Sequence, residues 1–414
     1  MSKKLTICFN PWMIFNQNDD YDSEIEEIAK RGFNCIRLED GAGLLWDQKG
    51  NVRTDILISS PFGKFTKYTS YRPIVNSQRV NLLDRLLRIC MAAKKHNVKL
   101  ILSSWFFLHT NWFCEEEVIQ PLFDLSTNKK ISFFADELAR ILDVLKKENL
   151  IDVVAFAEIF NEFDGLPFAG EYRPVPSDKA NELRVLHEAE IDKLKNKHPD
   201  ILFAFDTWTP NVNSSIIPRN IDVLNVHIYY AWSVYQAFEN GVVKRTFDEP
   251  VFPEETKYFL KEKTVSVKEI LEEMGEIKTG FDWPRRICLY ASLDEAKLDE
   301  LACLLDAKLQ ENIESYRSKF RESVEHIIET HDKVVPHSKI VIGEGLTYCA
   351  SPLLTFERDS QAFWQLVKEQ MKCFNENGFF GAVIATTHAK NRSAAWQPCK
   401  ELYLEANKIF LDEK

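Results

Sequence analysis

The chain is expected to fold as an α/β protein, a (β/α)8 TIM barrel with a long helical insertion between its sixth and seventh strands. Three observations lead there. Eight short apolar runs, most of them followed by an amphipathic stretch, recur along the 414 residues. The runs are continuously apolar, as parallel strands covered on both faces must be. No Gly-rich turn follows the first run, so the signature of an open doubly wound sheet is missing and the closed barrel is preferred.

The elements follow in order. "LTICFN" (Leu5 to Asn10) reads as the first strand, and "DSEIEEIAKRG" as a helix opening at Asp22-Ser23 and closing at Gly32. "FNCIRLE" (Phe33 to Glu39) is the second strand. A smaller insertion, residues 41–77, follows it. "NLLDRLLRICMAAKKHN" has helical apolar spacing and leads into "VKLILSSW", the third strand. "SFFADELARILDVLKKEN" is helical and "IDVVAFAEIFN" is the fourth strand. "DKANELRVLHEAEIDKLKNKHP" is helical, "DILFAFDTW" is the fifth strand and "IDVLNVHIYY" the sixth. Residues 231–337 then break the rhythm. Their charged helical patterns predict the sixth barrel helix plus a helical subdomain over the C-terminal face. "KIVIGEG" (Lys339 to Gly345) is the seventh strand, "FFGAVIATT" the eighth, and "CKELYLEANKIFL" a closing helix. Residues 1–414 are therefore read as one barrel domain with 231–337 carrying the insertion.

Composition narrows the partners. Hydrophobic residues make up 45% of the chain, enough for a large core. A formal charge of −11 argues against nucleic acid and against an anionic membrane surface, and leaves a small neutral or cationic substrate. The N-terminal stretch turns polar by Asn16 to Asp20, so no signal peptide is expected, and no apolar window reaches membrane-spanning length. The nine cysteines are scattered without a CxxC pair, which suits a reducing cytoplasm.

In such a barrel, function sits where strands end. The second strand ends at Arg37, the fourth at Asn161-Glu162, the sixth at His227 and Tyr229, and the seventh at Glu344. Acids on strands four and seven face each other across the barrel mouth. Two facing carboxylates suit glycosidic cleavage: one protonates the leaving oxygen, and the other attacks or stabilises the oxocarbenium-like centre. A gap of about 5–5.5 Å gives retention, and one of about 6.5–9.5 Å gives inversion.

These motifs carry a resemblance. "EIFNEF", "HIYY" and "IGEGL" resemble the retaining glycosidases of clan A, closest to the cellulase-like branch that includes family 5 enzymes and sugar-binding cellulase-like proteins. The resemblance covers the barrel in pieces and not the long insertion. It implies Glu162 as acid/base, Glu344 as nucleophile and Asn161 on the sugar 2-hydroxyl. Arg37 and Tyr229 would hold the nucleophile ionised and oriented, and His227 would sit near the acid/base. The chain departs from the pattern where Phe163 replaces the usual proline after Asn-Glu, and where the tryptophan expected on strand eight is delayed to Trp396.

Aromatic platforms suit the C–H faces of sugars. Trp12, Trp105, Trp112, Trp208, Trp232 and Trp396 lie at or beyond strand ends, and at least one is expected to touch ligand. His109 is a further candidate for a sugar hydroxyl. Asp206 could contact sugar or serve loop packing. Arg37 could equally be a structural partner of Glu158. Glu158 is expected about 13 Å deeper than Glu162, at about 3.3 Å per residue, and structural. Asp164 is expected in the loop, solvated or forming a turn. No HxH or HExxH motif occurs, so no metal and no cofactor are expected. The function predicted is retaining hydrolysis of a β-linked oligosaccharide or glycoside in the cytoplasm. The alternatives are a sugar-binding protein without turnover on the same scaffold, and a transglycosidase. Carbohydrate is the expected partner.

Overall fold

The computed structural model describes residues 4–60, 62–69, 76–105, 113–165, 177–229, 234–235, 252, 254–274, 283–331, 334–347, 351–386 and 393–412. Among these residues the strands are β1 (Leu5–Phe9), β2 (Cys35–Glu39), β3 (Ile56–Ile58), β4 (Gln78–Val80), β5 (Lys99–Ser103), β6 (Val154–Glu158), β7 (Phe203–Thr207), β8 (Val223–His227), β9 (Ile340–Glu344) and β10 (Gly381–Thr386). Eight of them close a barrel in the order β1-β10-β9-β8-β7-β6-β5-β2. Every pairing in it is parallel. This is the (β/α)8 barrel that the eight apolar runs predict.

Sequence explains the closure. β1, β2, β7, β8 and β9 are buried at every position, which is why they read as continuous apolar runs. Helices cover the outer face with one apolar stripe each. Leu82–Lys95 buries Leu82, Leu86, Ile89, Cys90 and Ala93, and the Asn81 side chain caps it by accepting from Asp84 N. Tyr21–Ala29 is capped by Asp20, which accepts from Ser23 N, so this helix starts one residue before the expected Asp22. Burying each large aliphatic side chain contributes about 1.5–3 kcal/mol.

The strands are shorter than their apolar runs. β6 stops at Glu158 and β8 at His227, so Asn161, Glu162 and Tyr229 lie on the chain beyond their strands. β3 and β4 form a separate antiparallel pair, Ile56 opposite Val80, after β2. Between β8 and β9 the described residues are largely helical: Glu254–Lys257, Val267–Met274, Trp283–Ser292, Leu298–Glu311 and Ile313–His331. The backbone N–H of Lys64 donates to Glu273 Oε1 at 3.1 Å, joining this helical stretch to the segment after β2.

Candidate active site

Charged side chains inside buried strands need partners, because an unpaired buried charge costs several kcal/mol. Arg37 supplies them. It projects from β2 into the barrel and is fully buried. Its Nε and Nη2 donate to Glu158 Oε1 at 2.8 and 2.5 Å, and Nη1 donates to Glu344 Oε1 at 2.8 Å. Nη2 also donates to Asn161 Oδ1 at 2.5 Å and to Asp206 Oδ2 at 2.9 Å. One guanidinium thus ties the ends of β6, β7 and β9 to β2. Asn225 Nδ2 completes the shell by donating to Glu158 Oε2 at 3.1 Å.

A second set of contacts lies above the first. The β8–β9 register sets His227 opposite Glu344. His227 Nδ1 lies 2.8 Å from Glu162 Oε1, and Nε2 lies 3.0 Å from Asp206 Oδ2. Tyr229 Oη lies 2.6 Å from Glu162 Oε1 and 2.5 Å from Glu344 Oε2, bridging the two carboxyl groups. The hydroxyl carries one hydrogen and faces two carboxyl oxygens, so one of the two carboxyls must bring a proton of its own.

Burial pushes Glu344 up to about 7, with the charge of Glu162 adding to it and those of His227 and Arg37 opposing it. Burial alone would lower His227, but the carboxylates of Asp206 and Glu344 outweigh it and hold its pKa well above the ordinary histidine value. Burial would raise Asp206, yet His227 and Arg37 keep it below the ordinary carboxylate value. Glu158 is raised, chiefly by burial, with Arg37 acting against the shift. Asp206 is therefore the settled carboxylate of the cluster, paired to two cations.

The backbone is shaped for this arrangement. Glu162 has φ 47°, left-handed for a residue with a side chain. Such a conformation costs on the order of 1–3 kcal/mol and persists only where its surroundings hold it. Here the Glu162 N–H donates to Asp206 Oδ1 at 2.5 Å, and its carbonyl accepts from Gly165 N at 2.7 Å. Phe163 is buried next to it, with its ring 4.7 Å from that of His187 and 5.5 Å from that of Phe205. A proline at 163 would press residue 162 towards extended backbone, so phenylalanine is compatible with the turn that aims Glu162. On β9, a Cβ at Gly343 would sit 2.0 Å from Asn225 Oδ1, and one at Gly345 would sit 1.7 Å from the Ile228 carbonyl oxygen. Glycine on either side of Glu344 lets β9 press against β8.

Comparison with known proteins places this geometry. The family model described as sugar-binding cellulase-like matches residues 14–273, more than half of the chain. The chain belongs to the cellulase-like family. The match includes Arg37, Glu162, His227 and Tyr229, and ends before Glu344. Among solved structures, this cellulase-like protein is similar to a candidate glycoside hydrolase from Parabacteroides distasonis, with TM-score 0.62, 16% identity, and 99% of this chain and 93% of that chain covered. It is also similar to a hyperthermophilic endo-β-1,4-glucanase in complex with substrate, with TM-score 0.50, 15% identity, and 97% and 96% of the two chains covered. A family 5 lichenase from Caldicellulosiruptor sp. F32 gives TM-score 0.50 at 12% identity, covering 98% of this chain and 92% of that one. At these identities the likeness shows the fold. No curated protein matches the sequence.

The cellulase-like chain brings Arg37, Asn161, Glu162, His227, Tyr229 and Glu344 into one cluster. The aromatic candidates fare differently. Trp105 is next to the cluster: Phe9 lies 5.1 Å from the Arg37 guanidinium carbon, and its ring centroid is 5.4 Å from that of Trp105. Trp12 stacks on Trp105 at 5.5 Å and is fully buried, so it backs Trp105 and offers no open face. Trp208 is part-buried after β7, and its N–H donates to Asp164 Oδ1 at 2.7 Å. Trp396 is the correction. It is buried between the Arg31 guanidinium, 4.2 Å from its ring, and the rings of Phe33 and Tyr403. Arg31 and Phe33 precede β2, so Trp396 packs at the opposite end of the barrel from the cluster. His109, Trp112 and Trp232 lie outside the described residues.

Two further acids bear on the expectations. Glu158 is the buried structural partner of Arg37, and the chain turns after β6 so that Asn161 meets the same guanidinium nitrogen. Asp164 lies in the helical turn Phe163–Gly165, the turn-forming alternative, and is part-buried rather than solvated, with burial pushing it up to about 7. Asp206 was legible only as a polar residue ending a strand; its place at the centre of the cluster came from pairing across the barrel. Among the described residues, Glu162, His227 and Glu344 are the side chains whose ligand atoms could converge on a cation, within 4.8 Å of one another. The Arg37 guanidinium on Glu344, and carboxyl oxygens on both nitrogens of His227, give that space the charge pattern of a proton-sharing cluster.

Proposed function

We propose that this protein is a retaining glycoside hydrolase acting on a β-linked oligosaccharide or glycoside. The observation that carries the reading is the Tyr229 hydroxyl bridging Glu162 and Glu344, whose nearest ligand oxygens lie within 4.8 Å. Oxygens that close favour the retaining arrangement, with carboxyl groups about 5–5.5 Å apart, over the inverting one at about 6.5–9.5 Å.

The roles follow from the donors. Both oxygens of Glu344 face donors, Arg37 on one and Tyr229 on the other, which favours its anionic form and aims it as the nucleophile. Glu162 is the more open of the two, with its side chain 9% exposed against 3% for Glu344, as a group that must reach the leaving oxygen and later a water. The bridging hydroxyl requires one carboxyl of the pair to carry a proton, and the reaction uses the state with that proton on Glu162. Glu162 gives it to the glycosidic oxygen as the C–O bond breaks and a Glu344 oxygen bonds to the anomeric carbon. Glu162 then takes a proton from the water that attacks the same carbon, and Glu344 leaves with its electron pair. Two inversions retain configuration. Asn161, held by Arg37 through its Oδ1, has its Nδ2 left for the sugar 2-hydroxyl.

The proposal includes a single barrel domain over residues 1–414, with the helices between β8 and β9 shortening the cleft. Small substrates, including β-glucan fragments of the kind the structural neighbours act on, are the first to test. A cytoplasmic setting agrees with the buried thiols of Cys8, Cys35, Cys90, Cys114 and Cys288. No described helix is long and apolar enough to cross a membrane.

The deciding experiment is Glu344→Ala with and without azide on aryl β-glycosides. The substitution should abolish turnover, and azide should restore it with an inverted glycosyl azide product. Sugar binding without hydrolysis by the unmodified protein across the aryl glycosides and β-glucan oligosaccharides would replace the enzyme reading with a binding one.

A further inference from the structure

Asp206 holds a position that the catalytic roles above do not use. It is fully buried at the C-terminal end of β7. Its Oδ2 lies 2.9 Å from Arg37 Nη2 and 3.0 Å from His227 Nε2, and its Oδ1 accepts the Glu162 N–H at 2.5 Å. One carboxylate therefore touches the cation that orients Glu344, the imidazole that faces the Glu162 carboxyl, and the strained backbone that carries Glu162.

The imidazole is the informative partner. Both of its nitrogens face carboxyl oxygens, Nδ1 towards Glu162 and Nε2 towards Asp206. A neutral imidazole has one N–H and can donate to only one of them; the cation donates to both. The surroundings bear on its charge from every side. Asp206 faces it from β7, Glu162 from beyond β6, Tyr229 from beyond β8 at 3.4 Å, and Glu344 from β9 at 3.7 Å. Arg37 reaches it through Asp206 and Glu344. The Asp206 carboxylate and the one charge left on the Glu162–Glu344 pair, against one indirect cation, favour the charged ring, in accord with the upward shift of His227.

We propose that Asp206 is a positioning residue for Glu162: it keeps His227 an imidazolium whose Nδ1–H points at the Glu162 carboxyl, and it fixes the left-handed backbone that aims that carboxyl. The inference rests on the reading of Glu162 as acid/base. When Glu162 has given its proton to the leaving oxygen, the Nδ1–H stabilises the carboxylate left behind. Without Asp206 the ring is neutral and its Nε2–H turns to the residue at 206. Its Nδ1 lone pair then faces Glu162, which has to keep its proton to satisfy it. Release of the proton in the first step and its recovery from water in the second both become mismatched.

The test uses Asp206→Asn, which keeps shape and an acceptor oxygen, together with histidine-selective NMR, with His227→Asn to assign the signal. In the unmodified protein the His227 ring should be cationic at pH 7, above the ordinary histidine pKa of about 6.5. In Asp206→Asn it should be neutral at that pH. On an activated aryl glycoside, kcat should fall by about 10- to 100-fold, below the full loss of a general acid–base group at about 100- to 10,000-fold, and the basic limb of kcat/KM should move by about one pH unit. The Arg37–Glu344 contact is retained, so the acid limb should move less. A neutral His227 in the unmodified protein at pH 7 overturns the inference, and that measurement needs no variant to fold. A cationic His227 in Asp206→Asn, or an unmoved basic limb, also overturns it. If the protein binds sugar without hydrolysing it, the NMR result still tests Asp206's hold on His227, while the acid/base reading fails by itself.

Discussion

Replacing Arg37 with methionine removes the one guanidinium shared by Glu158, Asp206 and Glu344 while keeping a long apolar stem. Its five hydrogen bonds reach four side chains, all buried. Breaking a buried pair by removing one partner costs about 3–5 kcal/mol, because a charge is left without compensation. The three carboxylates can limit the loss by taking up protons, at a cost of about 1.4 kcal/mol for each pH unit above their ordinary values near 4. The sign follows from this. In the variant their folded pKa values lie above the unfolded ones, so the folded state binds more protons and loses stability as pH rises from about 4. The expected loss is thus about 3–5 kcal/mol at pH 7.5 and about 1–2 kcal/mol at pH 4.5. Urea unfolding followed by tryptophan fluorescence at the two pH values measures it, and adding Glu158→Gln should restore part of the loss at pH 7.5. A loss below about 1 kcal/mol at pH 7.5, or one equal at both pH values, would refute the view that one cation compensates three acids.

Other outcomes follow from the same contacts. Tyr229→Phe removes the hydroxyl between the carboxyl groups; kcat should fall by about 100-fold with stability changed by about 1 kcal/mol, read by steady-state kinetics and urea melts. Glu162→Gln should abolish turnover of glycosides with poor leaving groups while sparing glycosylation by dinitrophenyl glycosides, seen as a pre-steady-state burst. Asp40 is pushed up to about 7 by burial, with Glu137 and Glu158 adding to it, so its folded pKa exceeds the unfolded one and its stabilising contribution fades as pH rises from about 4 to 7. Asp40→Asn should therefore gain up to about 4 kcal/mol at pH 8 relative to its effect at pH 4, measured by chemical denaturation. Gly345→Ala would place a Cβ 1.7 Å from the Ile228 carbonyl oxygen at a backbone with φ 138°, and should cost more than about 2 kcal/mol or prevent folding, read by soluble yield and thermal melting.

The barrel was legible because parallel strands covered on both faces are predominantly apolar, as β2, β8 and β9 are. The polar residues that broke those runs, Arg37, His227 and Glu344, marked the site for the same reason: nothing else would justify them inside a strand. Three matters were hidden. The turn at Glu162 depends on a tertiary bond from Asp206, 44 positions away, so strand periodicity carried the fourth strand past Glu158, where it ends. Trp396 looked like a sugar platform by its order in the chain, whereas a cation and two rings around Arg31 claim it as packing. Asp206 had no motif of its own, since its importance lies in whom it meets across the barrel.

The aromatic packing of Phe163 has a thermal consequence. In a chain with proline after Asn-Glu, a covalent ring stiffens the segment that bears the acid. Here that task falls to contacts among Phe163, Phe160, Phe205 and His187, the last on the helix Ser177–Lys197 outside the barrel. Such contacts loosen by local opening at a lower free energy than whole-domain unfolding. With Glu162 as the proposed acid, heating should silence it while the barrel still stands, and the temperature at which hydrolysis fades would report the docking of one outer helix.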